Sequence, residues 1–295
     1  MWGQGMSREF ARQISYSSSV GSRMGRVVIR TMENATGRLS LIARARGAEA
    51  DLAQGRDLWQ IAMDRYRLRP ELLGGTFETI PATGPLILVA NHPYGILDGL
   101  MMGHILSRIR GDFRIIAHQI FGQAHMLNRA ILPVDFSETP AAVRQNLATR
   151  AEAIRYLGQG GAIGIFPGGT VSTSARPFGP PMDPVWRAFT ARMIQRTDAT
   201  VVPIFFEGQN SRLFQIASHL HANLRLGLLL KEFRARVGTP VRMVVGKPIP
   251  RAAIAAHGGD AKALMDFLRR STYELSPRPL KSFDYGYEFE QKYRA

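Results

Sequence analysis

Leu86-Ile87-Leu88-Val89-Ala90-Asn91-His92-Pro93-Tyr94-Gly95-Ile96-Leu97-Asp98-Gly99 is the stretch from which the rest of the chain is read. An apolar run with β-branched members stops abruptly at Asn91-His92-Pro93, and a carboxylate follows at Asp98. A buried strand that ends this way delivers an imidazole to a sheet edge, where ligands of open α/β folds bind. A carboxylate near an imidazole fixes its tautomer and stabilises its protonated form, as a general base requires. His92 and Asp98 are therefore the candidate catalytic pair, and the pattern points to an enzyme.

Outward from this stretch, strands and helices alternate. Strands are expected at 85–90, 112–117, 130–135, 161–166, 201–206 and 241–245. Helices are expected at 97–109, 118–129, 139–157, 183–197, 210–218, 227–236 and 259–273. Such alternation predicts an α/β fold with a mostly parallel central sheet flanked by helices and an N-terminal helical extension. Residues 1–70 make up a flexible start and the extension, 71–275 the α/β domain, and 276–295 an extended tail. Residues 24–47 read as one basic amphipathic helix, with Val27, Val28, Met32, Ala35, Leu39, Ile42 and Ala43 among five arginines. That helix can pack on its own domain or lie on anionic lipid; an apolar face without aromatics favours packing. A second helix is expected over 51–67, stopping before Pro70.

Composition narrows the chemistry. The 295 residues, 45% of them apolar, can fill one large α/β core. With no cysteine, disulfides, thiolate metal sites and a cysteine nucleophile are excluded. The formal charge of +15 attracts phosphate-rich partners, either nucleic acid or an anionic bilayer. Only five of the 38 basic residues are lysine, so a general bias toward arginine explains the charge equally well. The longest apolar window, 85–106, contains Asn91, His92, Pro93, Asp98 and His104, which a membrane-spanning helix would not tolerate. The first residues lack the apolar core of a signal peptide, so a cytoplasmic protein, free or peripherally membrane-bound, is expected.

Two more blocks carry chemistry. Ala162-Ile163-Gly164-Ile165-Phe166-Pro167-Gly168-Gly169-Thr170-Val171-Ser172 is a second short strand, emptying into paired glycines and hydroxyl side chains. Gly168 and Gly169 leave backbone N–H groups uncovered for a phosphate or a developing oxyanion; a plain tight turn is the competing reading. Val201-Val202-Pro203-Ile204-Phe205-Phe206 empties into Glu207-Gly208-Gln209-Asn210-Ser211-Arg212, a polar cluster able to hold a head group. Pro203 places that strand at an edge or an irregularity. Asn210 or Ser211 reads equally as the N-cap of the next helix. The candidate substrate-binding residues are Asn91, Tyr94, Phe166, Pro167, Thr170, Ser172, Asn210 and Arg212.

Other signals are weaker. Gly158-Gln159-Gly160-Gly161-Ala162-Ile163-Gly164 imitates a dinucleotide fingerprint, but it ends a helix and opens a strand, the reverse of that motif. The remaining histidines lack metal-ligand spacing, and no Gly-x-Ser-x-Gly elbow occurs. No metal and no cofactor is expected. The leucines of 221–231 read either as an apolar rim for lipid entry or as ordinary helix core.

Together the three blocks resemble the glycerolipid acyltransferase superfamily, whose motifs are Asn-His-x4-Asp, Phe-Pro-Glu-Gly-Thr-Arg-Ser and a Val-Pro-hydrophobic strand. Here they stand as Asn91-His92…Asp98, Phe166-Pro167-Gly168-Gly169-Thr170-Val171-Ser172 and Val202-Pro203-Ile204, and the resemblance covers roughly residues 75–250. Three departures stand out. Five residues separate His92 from Asp98, with Gly95 the natural place to absorb the extra one. Gly168 and Val171 replace the family's glutamate and arginine. Phe136 stands where a second motif carries another arginine. Those arginines are associated with an acceptor phosphate, so a different head group is implied, or a phosphate held by Arg144, Arg176 or Arg212. The variant is similar to the branch containing lyso-ornithine lipid acyltransferases.

The resemblance implies acyl transfer from an acyl carrier protein or coenzyme A thioester to a lysolipid hydroxyl, the acceptor being lyso-ornithine lipid or 1-acylglycerol-3-phosphate. It implies His92 as general base, Asp98 as its orienting partner and backbone amides at Gly168 and Gly169 as oxyanion donors. The implied setting is peripheral, on the anionic cytoplasmic face of the inner membrane, without nucleic acid as a partner. The competing readings are a catalytically inactive lysolipid-binding protein and a basic nucleic-acid-binding protein.

Overall fold

The computed structural model describes residues 15–17, 22–119, 121, 127, 129–135, 137 and 139–289. Four helices come first: α1 (Arg23–Thr36), α2 (Arg38–Ala45), α3 (Ala48–Ala53) and α4 (Leu58–Tyr66). The alternating part runs β1 (Arg69–Gly74), β2 (Leu86–Ala90), α5 (Ile96–Arg110), β3 (Arg114–His118), β4 (Ile131–Val134), α6 (Pro140–Gly158) and β5 (Ala162–Ile165). A small hairpin of β6 (Thr173–Ser174) and β7 (Pro181–Met182) precedes α7 (Ala188–Arg196) and β8 (Thr200–Phe206). Then come α8 (Arg212–Leu220), α9 (Ala222–Arg236), β9 (Pro240–Val245), α10 (Arg251–Ala255) and α11 (Ala261–Tyr273).

Seven strands form one sheet in the order β1-β9-β8-β2-β5-β3-β4. Strands β8, β2, β5, β3 and β4 run parallel; β9 runs against β8 and carries β1 parallel to itself. The α/β architecture read from alternation is the observed one. β2 lies mid-sheet and every residue of it is fully buried. Leu86, Leu88 and Ala90 pack into the layer with α4 and α5, while Ile87 and Val89 pack into the layer with α6, α7 and α11. Burial on both faces is why β2 shows a continuous apolar run instead of alternation.

Several expectations need correction. The strand with Pro203 is interior, between β9 and β2. Antiparallel pairing with β9 begins at Ile204, and the Gly246 N–H donates to the Pro203 carbonyl at 2.9 Å. A full pair would return a bond from position 203, so the missing N–H falls at the end of that ladder, the irregular position the proline requires. The edge strands are β4 and β1, and sequence periodicity missed β1 because it is half exposed and shows no alternation. The helix expected over 24–47 is two helices divided at Gly37, and that over 51–67 is likewise divided into α3 and α4. The helix expected from 183 begins at Ala188, because Pro184 holds residue 183 out of the helical region. Most of 118–129, Phe136 and most of 1–22 lie outside the described residues.

Of the leucines of 221–231, Leu228, Leu229 and Leu230 are buried core, while Leu224 and Leu226 are half-buried and pack against the cluster that holds Leu228 and Leu229. Apolar side chains that face outward include Met24, Val27 and Val28 on α1, Leu39 on α2, Val143 and Leu147 on α6, Leu213 and Leu220 on α8, and Phe178 in the loop before β7. α1 buries Gly25, Ile29 and Glu33. It packs against α9, where Met32 lies over Gly227. Beyond α11 the chain to Phe289 runs extended across the domain. The N–H groups of Gly286 and Tyr287 donate to Asp183 and Thr173 carbonyls, and Arg187 grips Glu288 through two 2.9 Å bonds.

Candidate active site

Strands β5, β2 and β8 are neighbours and parallel, so the three chemically informative loops leave one end of the sheet side by side. That end is where open parallel sheets place ligands. Asn91 ties two of the loops together. Its Nδ2 donates to the Phe206 carbonyl at 2.9 Å and its Oδ1 accepts from the Phe206 N–H at 2.7 Å. The amide thus prolongs the β2–β8 ladder past the last residue of β2. With its oxygen and one of its two N–H groups committed, Asn91 shapes the site.

His92 Nδ1 stands 3.1 Å from Asp98 Oδ2. The pair is within ion-pair distance, although the ring nitrogen makes no aligned hydrogen bond. Free enzymes commonly show such loose geometry, which tightens around a substrate. Asp98 occupies the first turn of α5 and is fully buried. Its Oδ2 accepts from the N–H groups of Tyr94 at 2.8 Å and Gly95 at 2.9 Å. Burial pushes the Asp98 carboxyl above the usual range, while His92 and the two N–H donors pull it back. Gly95 takes a positive φ of 84°, a conformation open to glycine that lets the longer loop close on the carboxylate. The imidazole stacks on Phe166, ring centres 4.1 Å apart.

The paired glycines have different jobs. The Gly169 N–H closes a turn on the Phe166 carbonyl at 3.0 Å, with φ of 69°. Its donor is spent, which corrects the expectation of two oxyanion donors. Gly168 has no recorded partner for its N–H among the described residues. The Pro167 carbonyl accepts from the Arg187 N–H, and Thr170 Oγ1 accepts from Arg225 Nη2 at 2.7 Å. Arg225 is almost fully buried and also donates to the Val171 carbonyl, so α9 supplies a guanidinium to the loop whose own arginine is missing. No local sequence signal marks Arg225, since it lies in a different helix.

Asp183 is the residue that sequence reading missed most clearly. Its buried carboxylate accepts from the His92 N–H at 3.2 Å and the Ser172 hydroxyl through Oδ1, and from Trp186 Nε1 at 2.9 Å through Oδ2. The Ser172 N–H in turn donates to the His92 carbonyl at 2.8 Å. One side chain therefore locks the histidine loop to the glycine loop. Ser172 is a clamp in this arrangement, its hydroxyl proton given to Asp183.

Tyr94, nearly buried, donates its hydroxyl to the Glu207 carbonyl at 3.0 Å. Burial raises the pKa of that phenol. Gly208 makes this contact possible: a Cβ there would lie 1.7 Å from the Tyr94 hydroxyl, and φ is 121°. Gly208→Ala is expected to expel Tyr94 from its seat and cost about 2–4 kcal/mol through strain and overpacking, read as a lower unfolding midpoint. Asn210 is buried, with neither amide atom hydrogen-bonded among the described residues, leaving it open to a ligand's polar group or water. Ser211, not Asn210, caps α8, accepting from the Phe214 N–H. Arg212 is exposed and spends Nη1 on the Gly179 carbonyl. Arg144 and Arg176 are also exposed. None of these three lines the cavity of about 640 Å³ that opens beside the His92 loop.

The fold thus brings an imidazole–carboxylate pair and the Gly168 backbone amide to one sheet end, the kind of groups that acyl transfer uses. The family described as Acyltransferase matches residues 73–282, and the chain belongs to it. The protein is thus an acyltransferase, in the broad class EC 2.3.1. It is similar to a lyso-glycine lipid O-acyltransferase of Phocaeicola vulgatus, 26% identical over 209 residues, 66% of this chain and 70% of that protein. Among solved structures it matches the 1-acyl-sn-glycerophosphate acyltransferase PlsC of Thermotoga maritima at 17% identity and a TM-score of 0.43, over 90% of this chain and 87% of the other. Among the described residues no helix is long and apolar enough to cross a membrane.

Proposed function

We propose that the chain transfers a fatty acyl group from an acyl carrier protein or coenzyme A thioester to the hydroxyl of a lysolipid, either lyso-ornithine lipid or 1-acylglycerol-3-phosphate. The observation that carries this reading is His92 Nδ1 held 3.1 Å from the buried Asp98 carboxylate, at the same sheet end as Gly168. With Nδ1 protonated toward Asp98, Nε2 is the base. It takes the acceptor's hydroxyl proton as that oxygen bonds to the thioester carbonyl carbon. The carbonyl oxygen becomes an oxyanion facing the Gly168 N–H. The C–S bond then breaks, and the thiolate leaves with the proton held by the imidazolium. Direct attack suits a chain with neither cysteine nor a nucleophilic serine elbow. The lysolipid relative in Phocaeicola supports a lipid acceptor.

In this reading residues 71–275 form the catalytic unit, docked peripherally on the cytoplasmic face of the inner membrane. Exposed Met24, Val27 and Val28 on α1, set among exposed Arg23 and Arg26, support an anionic lipid surface as the dock. The test offers labelled acyl carrier protein and coenzyme A thioesters, with each lysolipid presented in anionic vesicles. Diacylated product from at least one combination is expected. Vesicle binding with no product from any combination would instead identify an inactive lysolipid-binding protein.

A further inference from the structure

The cavity beside the histidine loop is lined by Pro93 and Tyr94 from that loop, by Glu207 after β8, and by Arg236, Arg242 and Arg278. Gly168, Gly169 and Thr170 are not among its walls. Asn91 and Pro93, which flank His92 in the chain, are among them, so the cavity adjoins the histidine loop, and Ser172 brings the end of the glycine loop to its wall. Its floor includes Met182, Phe205 and Leu280, an apolar bed beneath a cationic wall.

The three guanidinium groups are not equivalent. Arg242 lies 3.3 Å from Glu71 and 4.0 Å from Glu207, and Arg278 lies 3.3 Å from Glu207. Arg236 has no carboxylate within ion-pair distance among the described residues. It is held in place by other means: its guanidinium lies 4.6 Å over the Tyr94 ring, and Nη2 donates to the Gln209 carbonyl at 2.9 Å. A planar cation, oriented by a ring and a carbonyl and left without a counter-charge, is arranged to receive an anion through its remaining N–H groups. Tyr94 links this cation to the catalytic loop, since its N–H also donates to Asp98.

We propose that Arg236 binds the anionic head group, carboxylate or phosphate, of the acyl acceptor in this cavity. The inference rests on the lysolipid reading above and names the chemistry of its acceptor.

Arg236→Gln in the full chain tests it, with lysophosphatidate, lyso-ornithine lipid and uncharged monoacylglycerol as acceptors in phosphatidylcholine vesicles. The acceptor KM is expected to rise about tenfold or more for whichever of the two lysolipids with an acidic group, phosphate or carboxylate, the enzyme uses. The donor KM, and kcat at saturating acceptor, should stay within about threefold, and Arg236→Lys should fall between. Preference between these two lysolipids tells carboxylate from phosphate. An unchanged acceptor KM, or a rise confined to the donor KM, overturns the proposal. Equilibrium binding of the same doped vesicles gives a reading without turnover: loss confined to the lysolipids with a phosphate or carboxylate supports the role of Arg236, and equal binding by variant and parent refutes it. Wild-type protein that acylates none of the three contradicts the acceptors proposed above separately, while the binding arm still decides the role of Arg236.

Discussion

Replacing His92 with alanine is expected to lower kcat for acyl transfer about 10³-fold while leaving the protein folded. The side chain is 17% exposed and its loss opens no sealed cavity. The contacts that hold position 92 in place, from its N–H to Asp183 and from the Ser172 N–H to its carbonyl, are main-chain contacts that alanine keeps. What disappears is the imidazole stacked on Phe166 and paired with Asp98. Single-turnover transfer from a labelled thioester measures the rate, and a thermal melt checks the fold. A variant that still turns over at the parental rate removes His92 as the base. His92→Gln, which retains bulk against Phe166 but no basic nitrogen, should be equally slow.

Asp183→Ala is expected to have the largest effect on stability, about 3–5 kcal/mol, because it strands buried donors from three directions. The His92 N–H and Trp186 Nε1 would lose their acceptor inside the protein, and the Ser172 hydroxyl would have to turn elsewhere. For a chain of this size the melting temperature should fall on the order of 10 °C. Asp183→Asn separates the two halves of the role. Its Oδ1 can still serve His92 and Ser172, but its amide nitrogen would meet the Trp186 N–H donor to donor, so an intermediate loss is expected. If both variants melt with the parent, the carboxylate is not what fastens the two loops.

Much of this arrangement could be read before any coordinates. β2 and β5 announce themselves as short apolar runs that stop at Asn-His-Pro and Pro-Gly-Gly, and both lie at the sheet centre with both faces covered. A residue buried from both sides has to be apolar at every position, so the signal is strong. β1 gives no such signal because an edge strand can be half exposed. Pro203 misled for a related reason. A proline is barred only where a ladder bond is due, and the chain does not reveal that β9 ends its pairing one residue away. Gly95 and Gly169 were legible as turn glycines, but which of the paired glycines keeps a free N–H depends on the Phe166 carbonyl folding back to reach Gly169.

Local order along the chain determined the strand–helix alternation, the buried central strands, the histidine–carboxylate spacing and the glycine turn, because each arises from residues within a few positions of one another. Asp183, Arg225 and Arg236 became visible only once the chain had folded. Asp183 lies 91 residues from His92, and Arg225 lies 55 from Thr170. Arg236 reaches the Tyr94 ring from the far end of α9. Their roles come from which loops the sheet order sets side by side, a property of the packed core that no window of sequence contains.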